Sequence, residues 1–511
     1  MNDAEFDMFL ENIAEASCPS DMSQDINPWH RAMSRVLWGT GLTTLTLNFL
    51  NLDTILSGIG LILLILGYRA LRKENGWFRA AYIVSVLRAI WFCITFFLQS
   101  TVLSEADGIS LFLSAGAYLC LVLLFFCLLS LRNGIRAVQK KAGLPGHGGT
   151  ELLLWYGIVL LLALIKLESI AVFILVIAYG FILRGLFQLS AELTQAGYAI
   201  SPSAVKISDR TVALTFGGIL LALYMTGLLF LGRYPMEWQP VDASRSGQAA
   251  DVSEKLTALG FPENVLRDMT AEEILACKDA AFVLVHSRDY DINLQRGIGT
   301  QEEIDGSKVA LITPDEGEPH LRFTFIGVKF GDAREHWRII HHFEWLTDTR
   351  FFGTEAIQLW PSDRSGAWDK CTDVTGRLLY DKGDVVLTAD YYSLQAVSYR
   401  RNDILAGMTG RYDNHDVFAT FSFPGEGERQ RGYLIYDIRE MKDGAIVDSW
   451  FNYAHQQRRL QFPVMTARDY FMTSFLSRPD TFWRIQSALQ FTTHGAVPEL
   501  FCAFLTVRSV S

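Results

Sequence analysis

Between Arg334 and Leu346 the chain reads REHWRIIHHFEWL, three histidines and two glutamates laced through aromatic residues. Successive side chains of an extended strand point to opposite faces. Alternation therefore places Trp337, Ile339, His341, Phe343 and Trp345 on one face, and His336, Arg338, Ile340, His342 and Glu344 on the other. The first set is a core face, on which His341 reads as a hydrogen-bonded core histidine. On the second, His342 and Glu344 stand about 7 Å apart along the strand, close enough to share one ion. His336 or Glu355 would complete three ligands, so His336, His342 and Glu344 form the candidate metal site. The plainer reading is a polar strand face that meets water.

The stretch that follows, FFGTEAIQLWPSDRSGAW, carries Glu355, Gln358, Trp360 and Trp368. Aromatic platforms beside carboxamides and carboxylates suit sugars, and paired carboxylates can serve hydrolysis. These four are the candidate ligand-binding residues, weighed against core packing in a domain rich in aromatics. DNHD at 413–416 offers oxygen ligands but lacks a calcium-loop spacing. The soluble part contains no G-x-S-x-G elbow, H-E-x-x-H helix or glycine-rich phosphate loop, so no catalytic residue and no cofactor is assigned. Cys277, Cys371 and Cys502, an odd and scattered trio, make neither a disulfide framework nor a zinc motif.

The elements that must position these residues are strands. From 282 to 511 short apolar and aromatic runs alternate with turn residues, the pattern of an all-β sandwich-like domain. Hairpins are expected at Asp381-Lys382-Gly383-Asp384 and at Lys442-Asp443-Gly444. One helix is expected near 467–476, where Thr466 and Asp469 form a cap. A linker and short helices occupy 234–281: Ser253 opens a helix that Gly260 ends, Pro262 starts a second, and Thr270 with Glu273 caps a third.

Upstream, residues 35–233 are dominated by Leu, Ile, Phe, Val, Gly and Ala. Three stretches, 77–103, 108–131 and 211–231, meet the ~20-residue requirement of a bilayer. Two longer runs, 36–68 and 152–183, are interrupted by Asn51 with Asp53 and by Lys166 with Glu168. A single helix would strand those groups near mid-bilayer, at ~2.5–3.5 kcal/mol per charge. Each run is therefore expected to fold as a hairpin. The result is an α-helical transmembrane bundle of about seven helices, read as three repeated hairpins plus one. Arg31 and Arg35, Arg69 to Arg79, Arg132 to Lys141, and Arg184, Lys206 and Arg210 then share one face, which Lys/Arg bias marks as cytoplasmic. Arg88, deep in one span, reads as a snorkelling or helix-pairing residue rather than part of a conduction path.

Residues 1–34 form an acidic cytoplasmic tail, with an amphipathic pattern over 3–16 that suits either a cytoplasmic partner or the chain's own basic loops. Charge divides sharply. Up to Arg233 there are 16 basic and 15 acidic residues, leaving 29 and 40 in the remainder. So acidic a domain repels phosphate backbones, and nucleic acid is not an expected partner.

The expected protein is thus integral to a membrane, with the plasma membrane the expected one, in contact with lipid and with its N-terminus cytoplasmic. It presents an extracytoplasmic β-domain that binds a ligand or partner protein as a non-catalytic sensor, receptor or envelope module. Two alternatives are carried: a membrane-anchored envelope hydrolase using the 336–355 region, and a transporter or channel subunit with an outer binding domain.

Overall fold

The computed structural model describes residues 28–44, 52–106, 108–164, 170–196, 198, 207–241, 247–290, 300–304, 307–311, 320–332, 334–347, 353–361, 368–400, 413–442, 446–461, 464–473, 481–493, 498 and 500. The tail helix expected over 3–16, and Asn51, Lys166 and Glu168, lie outside these. The chain divides into two compact units, Met1–Leu229 and Phe230–Ser511.

The first unit is helical: α1 Pro28–Thr44, α2 Leu52–Leu71, α3 Gly76–Gln99, α4 Ile109–Lys141, α5 Thr150–Leu164, α6 Ile170–Gln195 and α7 Asp209–Phe230. Five of them, α2, α3, α4, α6 and α7, are long and apolar enough to cross a membrane, the mark of a membrane protein. α1 and α5, with 17 and 15 residues, fall short of that length. Seven spans therefore reduce to five clear ones. Both interrupted runs nevertheless break into two helices, α1 with α2 and α5 with α6, as the cost of buried polar groups requires.

α1 and α2 pack antiparallel at van der Waals distance because glycine lines the seam. A Cβ on Gly60 would stand 2.6 Å from Thr43 Cγ2, and one on Gly67 would stand 2.6 Å from Val36 Cγ2. Small residues give membrane helices this approach where no hydrophobic force draws them together.

One end of the unit is knitted by charge. Arg35 Nη1 meets Asp209 Oδ2 at 2.6 Å, and Arg69 donates to the carbonyl of Ile207. Lys141 donates to the carbonyl of Glu74 at 2.6 Å, while the Tyr198 hydroxyl donates to the Glu74 carboxylate at 2.8 Å. Arg132 and Arg136 both reach the Thr150 hydroxyl. The start of α1, the α2–α3 and α4–α5 junctions, and the start of α7 thus share one end. Arg184 is the exception: it stands 11 residues before the end of α6, inside the apolar helix. At Arg88 in α3 one guanidinium nitrogen is buried with no hydrogen-bond partner among the described residues, so this side chain turns into the bundle.

The second unit carries fifteen strands among its described residues. A larger sheet runs in the order β1 (Gln239–Pro240), β10 (Val385–Ala389), β9 (Thr375–Lys382), β13 (Glu428–Glu440), β6 (His336–Trp345), β5 (Leu321–Phe330) and β2 (Ala280–Tyr290), with β8 (Trp368–Lys370) also on β13. A smaller sheet runs β11 (Ser393–Arg400), β12 (Asp413–Phe421), β7 (Glu355–Trp360), β14 (Ile446–Gln456) and β15 (Phe482–Thr492). β3 (Thr300–Ile304) and β4 (Ser307–Leu311) form a separate hairpin. The two large sheets enclose one core, with Phe323, Phe325, Trp337 and Phe343 from the larger packed against Ile357, Leu359, Phe451 and Tyr453 from the smaller.

Local signals hold where they rest on turn or cap chemistry. β9 and β10 pair through a two-residue turn in which Gly383 adopts φ +60°, as expected at Asp381–Asp384. Both capping boxes form, Thr270 with Glu273 and Thr466 with Asp469. Of the second expected hairpin, Asp443 and Gly444 lie outside the described residues; the strands on either side, β13 and β14, belong to different sheets. Helices α8 (Gly247–Ala258), α9 (Glu263–Asp268) and α10 (Ala271–Leu275) make the lead-in, and α8 starts six residues ahead of Ser253. They pack on the outer face of the larger sheet, where Leu256, Val265 and Ile274 meet Ile326, Ile340 and Ile435. α11 (Ala467–Met472) covers part of the outer face of the smaller sheet.

The α1–α2 seam gives a direct stability test. Gly60→Val should cost roughly 1–3 kcal/mol by overpacking, seen as a lower unfolding midpoint of the detergent-purified chain. Gly217→Ala on α7, where a Cβ meets nothing within 4 Å, should leave it unchanged.

Candidate functional site

The alternation expected along β6 is present, and both of its faces are buried. On the inner face Trp337, Ile339, Phe343 and Trp345 join the core between the sheets. His341 lies among them with no exposed surface, its Nε2 2.7 Å from the Ser449 hydroxyl, which also meets the Tyr436 hydroxyl. A serine beside a histidine has the parts of a nucleophile and base. Here Phe325, Phe451 and Tyr436 enclose the pair, and no solvent reaches it. Burial pushes the His341 imidazole down to about 3, so it is a neutral core histidine.

The outer face is largely closed to water by the lead-in helices, with His336 and Arg338 half-buried at its start. His342 is 1 % exposed and its Nε2 lies 2.9 Å from Asp268 Oδ2, at the end of α9. Arg431 donates to both Asp268 oxygens at 2.9 and 3.0 Å, and to Asp381 at 2.7 Å. Burial pushes the Asp268 carboxyl up, but His342 and Arg431 more than offset that and hold it below its usual range. Glu344 pairs with Arg429 at 3.0 Å, and His336 with Asp332 at 2.7 Å.

The candidate ligand set His336, His342 and Glu344 is therefore not gathered. His336 and His342 stand six residues apart on one straight strand, roughly 20 Å, and each of the three has its own partner. Among the described residues, no group of three or more His, Cys, Asp or Glu is placed to hold a metal. Of the polar residues of β6, His342 fastens α9 to the larger sheet, while Arg338 and Glu344 pair with Asp437 and Arg429 of β13.

The second candidate group is divided among three places. Glu355 points inward with no exposed surface, accepting hydrogen bonds from the Tyr453 hydroxyl at 2.9 Å and from His455 Nδ1 at 2.7 Å. Burial pushes its carboxyl up, against the pull of His455 and Tyr453. Trp368 lies in the core from the other sheet. Gln358 and Trp360, on the opposite face of β7 from Glu355, reach the outer face of the smaller sheet.

There they meet residues that sequence spacing does not connect to them. Register sets Trp360 beside Trp450 and Gln358 beside Asn452, and carries the row on through Gln486 of β15. The two indole centroids are 5.9 Å apart with planes inclined by 53°. Gln358 Nε2 donates to Asp416 Oδ2 at 2.5 Å, and Asn452 Nδ2 reaches Gln358 Oε1 at 3.4 Å. Arg484 reaches Asn452 Oδ1 at 3.4 Å. Trp360, Trp450, Gln486 and Arg484 are each half-buried, with part of their surface open. DNHD at 413–416 begins β12, and Asp416 is engaged by Gln358 rather than left for an ion. Gln358 and Asn452 are buried and spend their amides on Asp416, Arg484 and each other, so the open surface of this face comes from the two inclined indoles with Gln486 and Arg484 beside them. The rings can receive apolar C–H faces, and the Gln486 amide can hydrogen-bond to hydroxyls. Trp450 and Asn452 alternate with Phe451 and Tyr453 in SWFNYAH, so their shared face is legible in the sequence. Their pairing with β7 is not.

No family model matches the chain, and no curated protein matches it. Among solved structures, the full-length major pilin SpaD from Corynebacterium diphtheriae aligns at 10 % identity, over 32 % of this chain and 34 % of that one, with a TM-score of 0.19. The chain thus spans about a third of that pilin. A pore forming protein aligns at 6 % identity over 41 % of this chain and 90 % of that one, with a TM-score of 0.18. Likeness this slight carries no argument about fold or activity.

The buried imidazole predicts an acid-sensitive domain. An unfolded chain protonates His341 near its ordinary 6.5, whereas the folded chain does so only near 3. Stability should fall as pH drops through that window, by about 1.4 kcal/mol per unit once well below 6.5. His341→Leu should flatten the slope in denaturant titrations between pH 6 and 4.5. A slope unchanged by the substitution would mean that the imidazole is already protonated in the fold.

Proposed function

We propose that this is a multi-pass membrane protein which holds its β-sandwich outside the cytosol, and that the outer face of the smaller sheet binds a neutral or amino-sugar glycan without transforming it. The observation that carries this reading is the pair of half-open indoles, Trp360 and Trp450, with half-buried Gln486 and Arg484 on the same sheet face, positioned by the buried Gln358 and Asn452. Polyanionic glycans fit poorly, because the residues beyond Arg233 carry 40 acidic against 29 basic groups.

The location rests on charge. The basic helix junctions meet at one end of the helical unit, and Lys/Arg bias favours that end in the cytoplasm. Five clear spans, or seven if α1 and α5 also cross, are both odd numbers. Either count sends Phe230 onward to the far side. A hydrolase working through the 336–355 region draws no support from the geometry: Glu355 is sealed in the core, and His342 and Glu344 are each committed to an ion pair. For a transporter the helical unit offers Arg88, whose buried guanidinium nitrogen has no hydrogen-bond partner among the described residues.

Two measurements test the reading. With Cys18, Cys371 and Cys502 replaced by Ser, an impermeant maleimide on intact cells should label Lys382→Cys and spare Lys140→Cys until lysis. The reverse pattern would place the sandwich in the cytosol. For ligand, the purified full chain should retain oligosaccharides of glucose or N-acetylglucosamine, and Trp450→Ala should weaken retention by roughly five- to 150-fold, the equivalent of ~1–3 kcal/mol of stacking and desolvated contact. Equal retention by the native chain and Trp450→Ala would remove this face from the account.

A further inference from the structure

A cleft of about 430 Å³ opens between α1, α2 and α6 on the helical unit. Its walls are Trp38 and Leu42 from α1, Leu56 from α2, and Leu183 and Phe187 from α6, all apolar. Gly41 forms part of the wall, and a Cβ there would stand 3.2 Å from Leu183 Cδ1, so glycine keeps the slot open. The volume lies in the range of roughly 300–1,000 Å³ common to small-ligand sites.

One charged side chain lines the same cleft. Arg184 belongs to a helix apolar enough to span a membrane and stands about 16 Å along the helix from its end at Gln195. It is exposed, and among the described residues its guanidinium makes no hydrogen bond or ion pair. A cation held in a span is costly unless it reaches an anion or the interface. Arg35 and Arg69, by contrast, are settled on Asp209 and Ile207. An apolar slot with one unpaired cation at its side calls for an amphipathic anion, and around a helical unit of this kind the anion at hand is lipid.

We propose that this cleft takes one acyl chain of an anionic phospholipid from the leaflet at the basic end of the bundle, with the phosphate drawn to Arg184. Trp38 is 59 % exposed and its ring lies 5.8 Å from Phe187, so the cleft that Arg184 lines also has an aromatic lip, a residue type suited to the glycerol and ester region of a lipid. The occupant is an intact lipid rather than free phosphate, because everything in the cleft beyond Arg184 is apolar.

Native mass spectrometry of the full chain, released from nanodiscs of equal phosphatidylglycerol and phosphatidylcholine with matched chains, tests this. The native protein should retain the anionic lipid in preference. Arg184→Gln should lower that preference about fivefold, and Leu56→Trp, which fills the slot, should lower retention of both lipids. If Leu56→Trp does not fold, the preference lost in Arg184→Gln decides the matter alone. Equal retention of the two lipids by the native chain, variants that retain lipid as the native chain does, or displacement of the lipid by inorganic phosphate alone would each overturn the proposal.

Discussion

A β-strand has two faces and sends successive residues to opposite ones. That constraint decides which side chains of the second unit meet. His341 and His342 are neighbours in sequence, yet one is closed between the sheets beside Ser449 and the other is tied beneath the lead-in helices to Asp268. Glu355 and Gln358 part in the same way, the carboxylate into the core with Tyr453 and His455, the carboxamide outward to Asp416 and Asn452. A cluster read along one strand is dispersed by the fold. Residues from separate strands then supply the row that replaces it.

The buried charges of this unit are spent on holding its layers together. Asp268, His342, Arg431 and Asp381 form a chain of ion pairs between α9 and the larger sheet, each group with at least one charged neighbour. Removing one partner of such a network leaves the next uncompensated in a low dielectric, which is why such networks resist piecemeal change. The same network closes the outer face of the larger sheet. Among the described residues, α11 covers part of the outer face of the smaller sheet, and Trp360 and Trp450 are half-buried there.

The layered class of this unit was legible in the sequence because alternation and turn chemistry are local. Trp337 to Trp345 alternate as a core strand should, Gly383 supplies the positive φ of a two-residue turn, and Thr270 and Thr466 announce their helices by their acidic partners three residues on. Strand pairing is not local. Nothing near Lys442 signals that the chain there changes sheet, and nothing in AIQLW or DSWFNYA says that Trp360 and Trp450 will be side by side. The expected water-facing strand face failed for a related reason: the residue that buries it, Asp268, stands 74 positions from His342. In the helical unit, polar interruptions and basic junctions were readable because a bilayer penalises charge at every point along a span. The exact lengths of α1 and α5, which decide between five and seven crossings, were not.

The proposed glycan site lies on the outer face of the smaller sheet of the second unit. Hydrogen–deuterium exchange on the full chain, with and without an N-acetylglucosamine or glucose oligosaccharide, tests it most directly. Slowed exchange confined to the strands around Trp360, Asp416 and Trp450 is the expected result. Slowing around His342 and Asp268 instead, or no slowing anywhere at saturating oligosaccharide, would contradict it.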